Sequence, residues 1–275
     1  MLEGLPRAMT FWSTEMHEFP EKYDRAEYVS WHEAVFPQDK DLEARIAAHR
    51  DNLKAQFLKN HGEINALLAA LIGRSAGECF VQSNGLDSGD YQPDKGLTSK
   101  TGPDFDLLFK GVGPILEKMW RKNKNGPLVE MSNLDINITD LVRSSVVCSS
   151  QFSARIMADR LKHIEKLIPE VLTKDCKGFK SIHVDDEAKA QSGYFAFHAD
   201  LVWDGLPHFE LQIFSQLSKA WRDISHHLYE KTRVGGMVNA QLGGPESIFI
   251  SLGHLLHIAD TQHESLITEL KELLK

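Results

Sequence analysis

The sequence predicts an α+β fold, a mixed central β-sheet covered by helices with further helices at the N- and C-terminal ends, and three observations carry that prediction. Segments of strand type are interleaved with segments of helical periodicity, and a long helical stretch joins the first strand to a later hairpin. Residues 192–215, SGYFAFHADLVWDGLPHFELQIFS, alternate apolar and polar side chains on both halves of that hairpin. The chain has 275 residues, 42% hydrophobic and 25% charged, enough to bury a core as one large domain or one domain with a helical annex.

In chain order, Leu42, Ile46, Leu53, Phe57, Ile64, Leu67 and Leu71 recur at steps of three, four and seven, which predicts one or two amphipathic helices over 41–74, broken near Gly62. Residues 82–104 are rich in Gly, Ser, Asp and Pro and read as loop, the best internal boundary. A helix follows over 114–122, then a β-type segment over 138–149, a helix over 153–172, the hairpin, a helix over 216–231 and a closing helix over 245–274. The expected organisation is an N-terminal helical region (1–80), a central domain (81–235) and a C-terminal helix packed on it (236–275).

In the hairpin the apolar faces of the two strands coincide when paired residue numbers sum to an even number, as with 200 opposite 210 around a five-residue turn, Trp203–Pro207. Tyr194, His198, Asp200, Glu210 and Gln212 then form a polar patch, with His208 beside it. A solvated outer face is the bland explanation of such a patch.

The formal charge of −8, from 31 basic and 39 acidic residues, repels polyanions globally, so a nucleic acid would need a local basic patch. Three scattered cysteines, Cys79, Cys148 and Cys176, fit neither a disulfide scaffold nor a thiolate metal site, and are expected as buried small hydrophobes in a reducing cytoplasm. No stretch approaches the roughly 20 apolar residues of a membrane span, and no secretion signal is visible, so a cytoplasmic location without membrane contact is expected. GLTSKTG (96–102) has the letters of a phosphate loop but not its order. His254 and His257 stand at i,i+3 on a helix without a nearby acidic third ligand, and read as core or surface histidines. Lys118, Arg121, Lys122 and Lys124 around Trp120 read as a solvated helix face.

Five short motifs, in order over about 105–231, resemble the RelA/SpoT-like nucleotidyltransferases. Gly193-Tyr194-Phe195-Ala196-Phe197-His198 is similar to the family's acceptor loop G-Y-R-x-x-H. Glu210-Leu211-Gln212-Ile213-Phe214-Ser215 is similar to its catalytic strand E-[IVL]-Q-[IVL]-R-[TS]. Trp221, His226 and Lys231 match its next helix, Asp140 through Ser145 its strand D-[LI]-x-G-x-R, and Leu108-Phe109-Lys110 through Pro114-Ile115 to Lys118 its ATP pattern R-x-K-x-x-x-S-I-x-x-K.

The resemblance implies a synthetase-like fold and pyrophosphate transfer from ATP to the 3′-hydroxyl of a nucleotide acceptor, GDP or GTP in alarmone synthesis and the stringent response. Toxic members use adenosine nucleotides or the tRNA 3′ end instead. It implies Mg²⁺ on the donor phosphates, with Asp140 as metal ligand and Glu210 as base or second metal contact. Tyr194 would stack on the acceptor base, and His198 would sit near its phosphates or fix the loop. Lys110 and Lys118 would meet ATP phosphates, and Gln212, Arg143, His226 and Lys231 would complete the nucleotide site.

Where the family carries arginine, this chain has Leu108, Ser145, Phe195 and Phe214, and Pro114 stands for a serine. Each lost guanidinium removes a charge-assisted donor worth roughly 1.5 to 3 kcal/mol. Arg143, Arg121, Lys122, Lys219 and Arg222 are the candidate substitutes, Arg143 because it shares a strand face with position 145. Three readings follow: a divergent ATP-dependent pyrophosphokinase; a catalytically degenerate module that binds nucleotide or protein; and a chain whose resemblance is only structural and which serves assembly. A homo-oligomer or an antitoxin or regulator is the expected protein partner. The retained carboxylate pair favours the first.

Overall fold

The computed structural model describes residues 18–73, 106, 108–185, 193–224 and 245–274. The elements in order are α1 (Arg25–Val35), α2 (Leu42–Gly73), α3 (Val112–Asn125), α4 (Leu134–Asn137), β1 (Arg143–Cys148), α5 (Gln151–Lys162), α6 (Ile164–Leu167), α7 (Pro169–Lys174), β2 (Phe179–Val184), β3 (Phe197–Trp203), β4 (Leu206–Ser215), α8 (216–224) and α9 (Pro245–Leu273). The fold is α+β. Among the described residues four strands form one mixed sheet in the order β1-β4-β3-β2, parallel between β1 and β4 and antiparallel elsewhere.

The apolar face of the sheet is built by alternation. Ala199, Leu201 and Trp203 of β3 and Phe209, Leu211 and Ile213 of β4 are all buried, against Ala154, Met157, Ala158 and Leu161 on one side of α5. Phe57 of α2 meets Phe209 at 5.7 Å and Phe109 at 5.6 Å between ring centres, and so ties the N-terminal helices to the sheet. Glu63 of the same helix accepts from the Gly178 amide at 2.8 Å and from Trp203 Nε1 at 3.2 Å, which fixes the start of β2 against the end of β3.

The expected hairpin register holds, with Asp200 opposite Glu210, but its turn is shorter than expected. An irregularity after Leu201 brings Trp203 opposite Leu206, so only Asp204 and Gly205 remain in the turn. Gly205 sits at φ +70°, a conformation that Asp-Gly turns favour and that L side chains avoid.

Three boundaries also move. The helix over 42–73 runs through Gly62 without a break, because Phe57, Ile64, Leu67 and Leu68 are buried on either side of it and their packing outweighs a glycine's roughly 1 kcal/mol helical penalty. The stretch expected as one helix over 153–172 is three short helices. Pro169 bars Ile168 from helical backbone, and Ile168 sits at φ −134°, ψ 46°. The strand expected over 138–149 is confined to 143–148, and Asp140 lies in the turn before it.

Cys148 and Cys176 are buried, as expected, and burial with Glu63 and Asp175 nearby pushes the Cys176 thiol up to about 11. Trp120 is likewise buried, donating from Nε1 to the Pro20 carbonyl at 2.8 Å, so Lys122 and Lys124 decorate a core helix, while Lys118 turns to Asp140. No helix among the described residues is long and apolar enough to cross a membrane. Cys79, the 82–104 loop and GLTSKTG lie outside the described residues.

Beneath α1, His32 Nε2 meets Asp39 Oδ2 at 2.9 Å with both side chains buried, and the same oxygen accepts from the Met131 amide. Burial lowers the His32 pKa despite the opposing pull of Asp39. A histidine whose folded pKa lies below its unfolded value of about 6.5 contributes stability that is present above that pH and lost as pH falls below it. Urea midpoints measured at pH 7.5 and 5.5 are expected to fall on the acid side, by a smaller amount in His32→Gln.

Candidate functional site

The polar side of the sheet gathers residues from four separate stretches of chain. In the parallel pairing of β1 with β4, Arg143 lies opposite Glu210 and Ser145 opposite Gln212, and directly paired residues share a face. In the antiparallel pairing, His198 lies opposite Gln212 and Asp200 opposite Glu210 on that same face. Residues 108–110 run beside the entrance to β1: the Lys110 amide donates to Leu141 O at 2.9 Å, and the Arg143 amide to Leu108 O at 2.8 Å. That pairing carries the Lys110 side chain to Asp140.

Asp140 is clamped. Lys110 Nζ reaches one carboxylate oxygen at 2.7 Å, and Lys118 Nζ, from the second turn of α3, reaches the other at 2.5 Å. Burial alone would raise the Asp140 pKa, but the two ammonium groups outweigh it and hold the carboxyl well below the usual range. Lys110 is itself buried, and burial lowers its pKa against the pull of Asp140.

Glu210 is held separately. His198 Nδ1 donates to Glu210 Oε1 at 2.8 Å and Gln212 Nε2 to Oε2 at 2.9 Å. Burial pushes the Glu210 carboxyl up, and the His198 contact more than reverses it, so the group stays anionic. With Nδ1 committed to the carboxylate, His198 Nε2 faces the Tyr194 hydroxyl at 3.4 Å. Neighbouring Asp200 shifts the other way, raised by burial and by the Glu210 charge. The polar patch of the hairpin is therefore a line from Tyr194 through His198 to Glu210 and Gln212, one strand away from the Lys110–Asp140–Lys118 clamp.

The four positions that resemblance would fill with arginine, Leu108, Ser145, Phe195 and Phe214, are all buried. Of the candidate substitutes, Arg121 is engaged by Glu117 on its own helix, and Lys219 is buried against Asp223. Arg143 stands exposed beside the Glu210 face. Arg222, from α8, lies with its guanidinium 5.0 Å from the centre of the Phe214 ring and donates to Gln212 Oε1 at 3.5 Å. Tyr194 meets the same Phe214 ring edge-on at 5.8 Å. A cation from the next helix thus sits over the strand position where the family pattern has one. Spacing alone could not show this, because the partners are eight residues apart on different elements.

Among the described residues no group of three His, Cys, Asp or Glu side chains is placed to hold a metal ion by itself. His254 and His257 instead pack on Phe195. His226 and Lys231 lie outside the described residues.

No protein-family model matches this sequence, and no curated protein does. Among solved structures, the chain is similar to small alarmone synthetase 1 from Bacillus subtilis, with 19% identity over 60% of this chain and 78% of that one at a TM-score of 0.42. The same enzyme bound to its product pppGpp gives 18%, 59%, 77% and 0.40. A GTP pyrophosphokinase family protein from Streptococcus pneumoniae gives 20%, 60%, 76% and 0.40. Likeness at that level leaves the function to be read from the side chains.

Proposed function

We propose that this chain is a divergent RelA/SpoT-like pyrophosphokinase that transfers pyrophosphate from ATP to the 3′-hydroxyl of a nucleotide. The observation that carries the reading is the meeting, on one face of the sheet, of the lysine-clamped Asp140 with the Glu210–His198–Tyr194 line. Phosphoryl-type transfer asks mainly for positioning and for cations on the donor phosphates. Lys110 and Lys118 are preset for those phosphates by Asp140, with Arg143 close to Lys110. Tyr194 offers a ring to the acceptor base. The acceptor oxygen attacks the β-phosphorus, the bond from that phosphorus to the α-phosphate oxygen breaks, AMP departs with that oxygen, and the hydroxyl proton passes to Glu210. Mg²⁺ enters as part of the substrate, on the triphosphate, since such ions are usually held by one or two carboxylates together with phosphates. Asp140 and Glu210 are the carboxylates that would face it.

The burial of positions 108, 145, 195 and 214 favours a second reading, a module that binds nucleotide without transfer. One experiment separates the two. Full-length protein is incubated with Mg²⁺, labelled ATP and, separately, GDP, GTP, ATP or tRNA, beside Glu210→Gln. Labelled product with at least one acceptor is expected, reduced by roughly 10² to 10⁴ in the variant. Product equally abundant with the variant would sink the catalytic role of Glu210. ATP binding by calorimetry without any product would establish the binding module.

A further inference from the structure

We infer that α9 is part of the acceptor site, and that Phe195 is the positioning residue through which this helix sets the Tyr194 ring. The inference rests on the pyrophosphokinase reading for the identity of the acceptor, a nucleotide, but not for the contact itself. Gly193 stands at φ +72° and turns its backbone against the helix. A Cβ built on Gly253 would collide with the Gly193 carbonyl oxygen, and one on Gly193 would lie 2.8 Å from the Ile250 carbonyl oxygen. Loop and helix therefore approach as closely as two glycines permit.

Two residues further on, the Phe195 ring lies flat on His257, 3.7 Å between ring centres and 5° between planes, and meets His254 edge-on at 5.4 Å. Trp221 of α8 closes the third side, packing against Phe249 at 5.5 Å, with its ring 2.9 Å from the Gly253 Cβ position. Trp221 Nε1 and His257 Nδ1 are buried without hydrogen-bond partners among the described residues, so this contact is held by ring packing and close backbone approach.

The residues on both sides of Tyr194 are thus pinned to α9, while Tyr194 itself turns to Phe214 and His198. A ring held this way is preorganised for a nucleobase, and the ordering cost is met before the ligand arrives. It also follows that phenylalanine at 195 is suited to this chain: a guanidinium there would have to be buried between two histidines.

The test uses full-length Gly253→Ala, whose methyl pushes the helix off the loop, and Phe195→Leu, which removes the stacked ring without adding bulk and serves if the first variant fails to fold. Steady-state rates with labelled ATP and whichever nucleotide the wild type accepts should show the acceptor KM raised about tenfold or more with the ATP KM nearly unchanged. Phe195→Tyr, which keeps a ring on His257, should recover most of that loss. Hydrogen exchange read on the amides of 193–196 should show protection lost in both disruptive variants while β4 keeps its own. Equal rises in both KM values, or unchanged KM values with unchanged protection at 193–196, would overturn the inference. If the wild type transfers to no acceptor, the pyrophosphokinase reading fails, and hydrogen exchange alone decides whether α9 sets this loop.

Discussion

Asparagine in place of Asp140 is expected to lower the unfolding free energy by about 3 kcal/mol and to abolish measurable ATP binding. Removing one partner of a buried ion pair leaves the other uncompensated, at a cost of roughly 3 to 5 kcal/mol, and here two ammonium groups lose their common anion at once. The lower end applies because Lys118 is about a fifth exposed and can turn to water, whereas Lys110 cannot. Adding Lys110→Met should recover much of the stability, because the buried charge is gone, but none of the binding. Urea unfolding and calorimetry on the two variants check both halves. Stability unchanged in Asp140→Asn would mean that the clamp is not what holds Lys110 in place.

That clamp was half legible in the sequence. Asp140, Lys110 and Lys118 could be proposed because their motifs stand in order, but nothing in their spacing showed that one carboxylate would take a lysine on each oxygen. The pairing arises because residues 108–110 lie antiparallel beside 141–143, a short-range alignment between segments some thirty residues apart. The hairpin was legible in more detail, since alternation over 197–203 and 206–213 admits only one parity of register once both apolar faces must be buried. Strand β2 was missed for the converse reason. Phe179–Val184 is an edge strand with side chains exposed on both faces, so it carries no alternation to read. Helix α1 was also missed, although Asp24 caps it by accepting from the Glu27 amide at 3.0 Å, because its buried face at i, i+3 and i+4 is made of Tyr28, Trp31 and His32, two of which carry polar groups and give a weak apolar signal. The contact of α9 with residues 193–195 leaves no linear trace at all: Phe195 reads only as a departure from the arginine of the motif it resembles, and nothing in the spacing places His257 on it.

Phe214→Arg, which places here the arginine of the RelA/SpoT-like motif that this strand resembles, is expected to destabilise the chain by about 3 kcal/mol or more rather than to improve nucleotide binding. Position 214 has no exposure, its ring meets Tyr194 edge-on and the Arg222 guanidinium lies over it, so a second guanidinium would be buried beside the first. The strand carries an aromatic ring that supports a cation from α8, an arrangement worth roughly 0.5 to 2 kcal/mol in itself. Exchanging both residues, Phe214→Arg with Arg222→Phe, returns one ring and one cation to the same place with their roles reversed. The double variant should therefore be more stable than Phe214→Arg alone by at least about 1 kcal/mol, a coupling expected only of residues in contact. Affinity for ATP and for a nucleoside diphosphate, measured in the same four proteins, then shows what the cation does. If Arg222 supplies the charge missing at 214, Arg222→Phe alone weakens nucleotide binding about tenfold and the exchange recovers part of it, since a hydrogen bond from a charged donor is worth roughly 1.5 to 3 kcal/mol. Nucleotide affinity that is the same in all four would leave Arg222 as packing for Phe214 and nothing more.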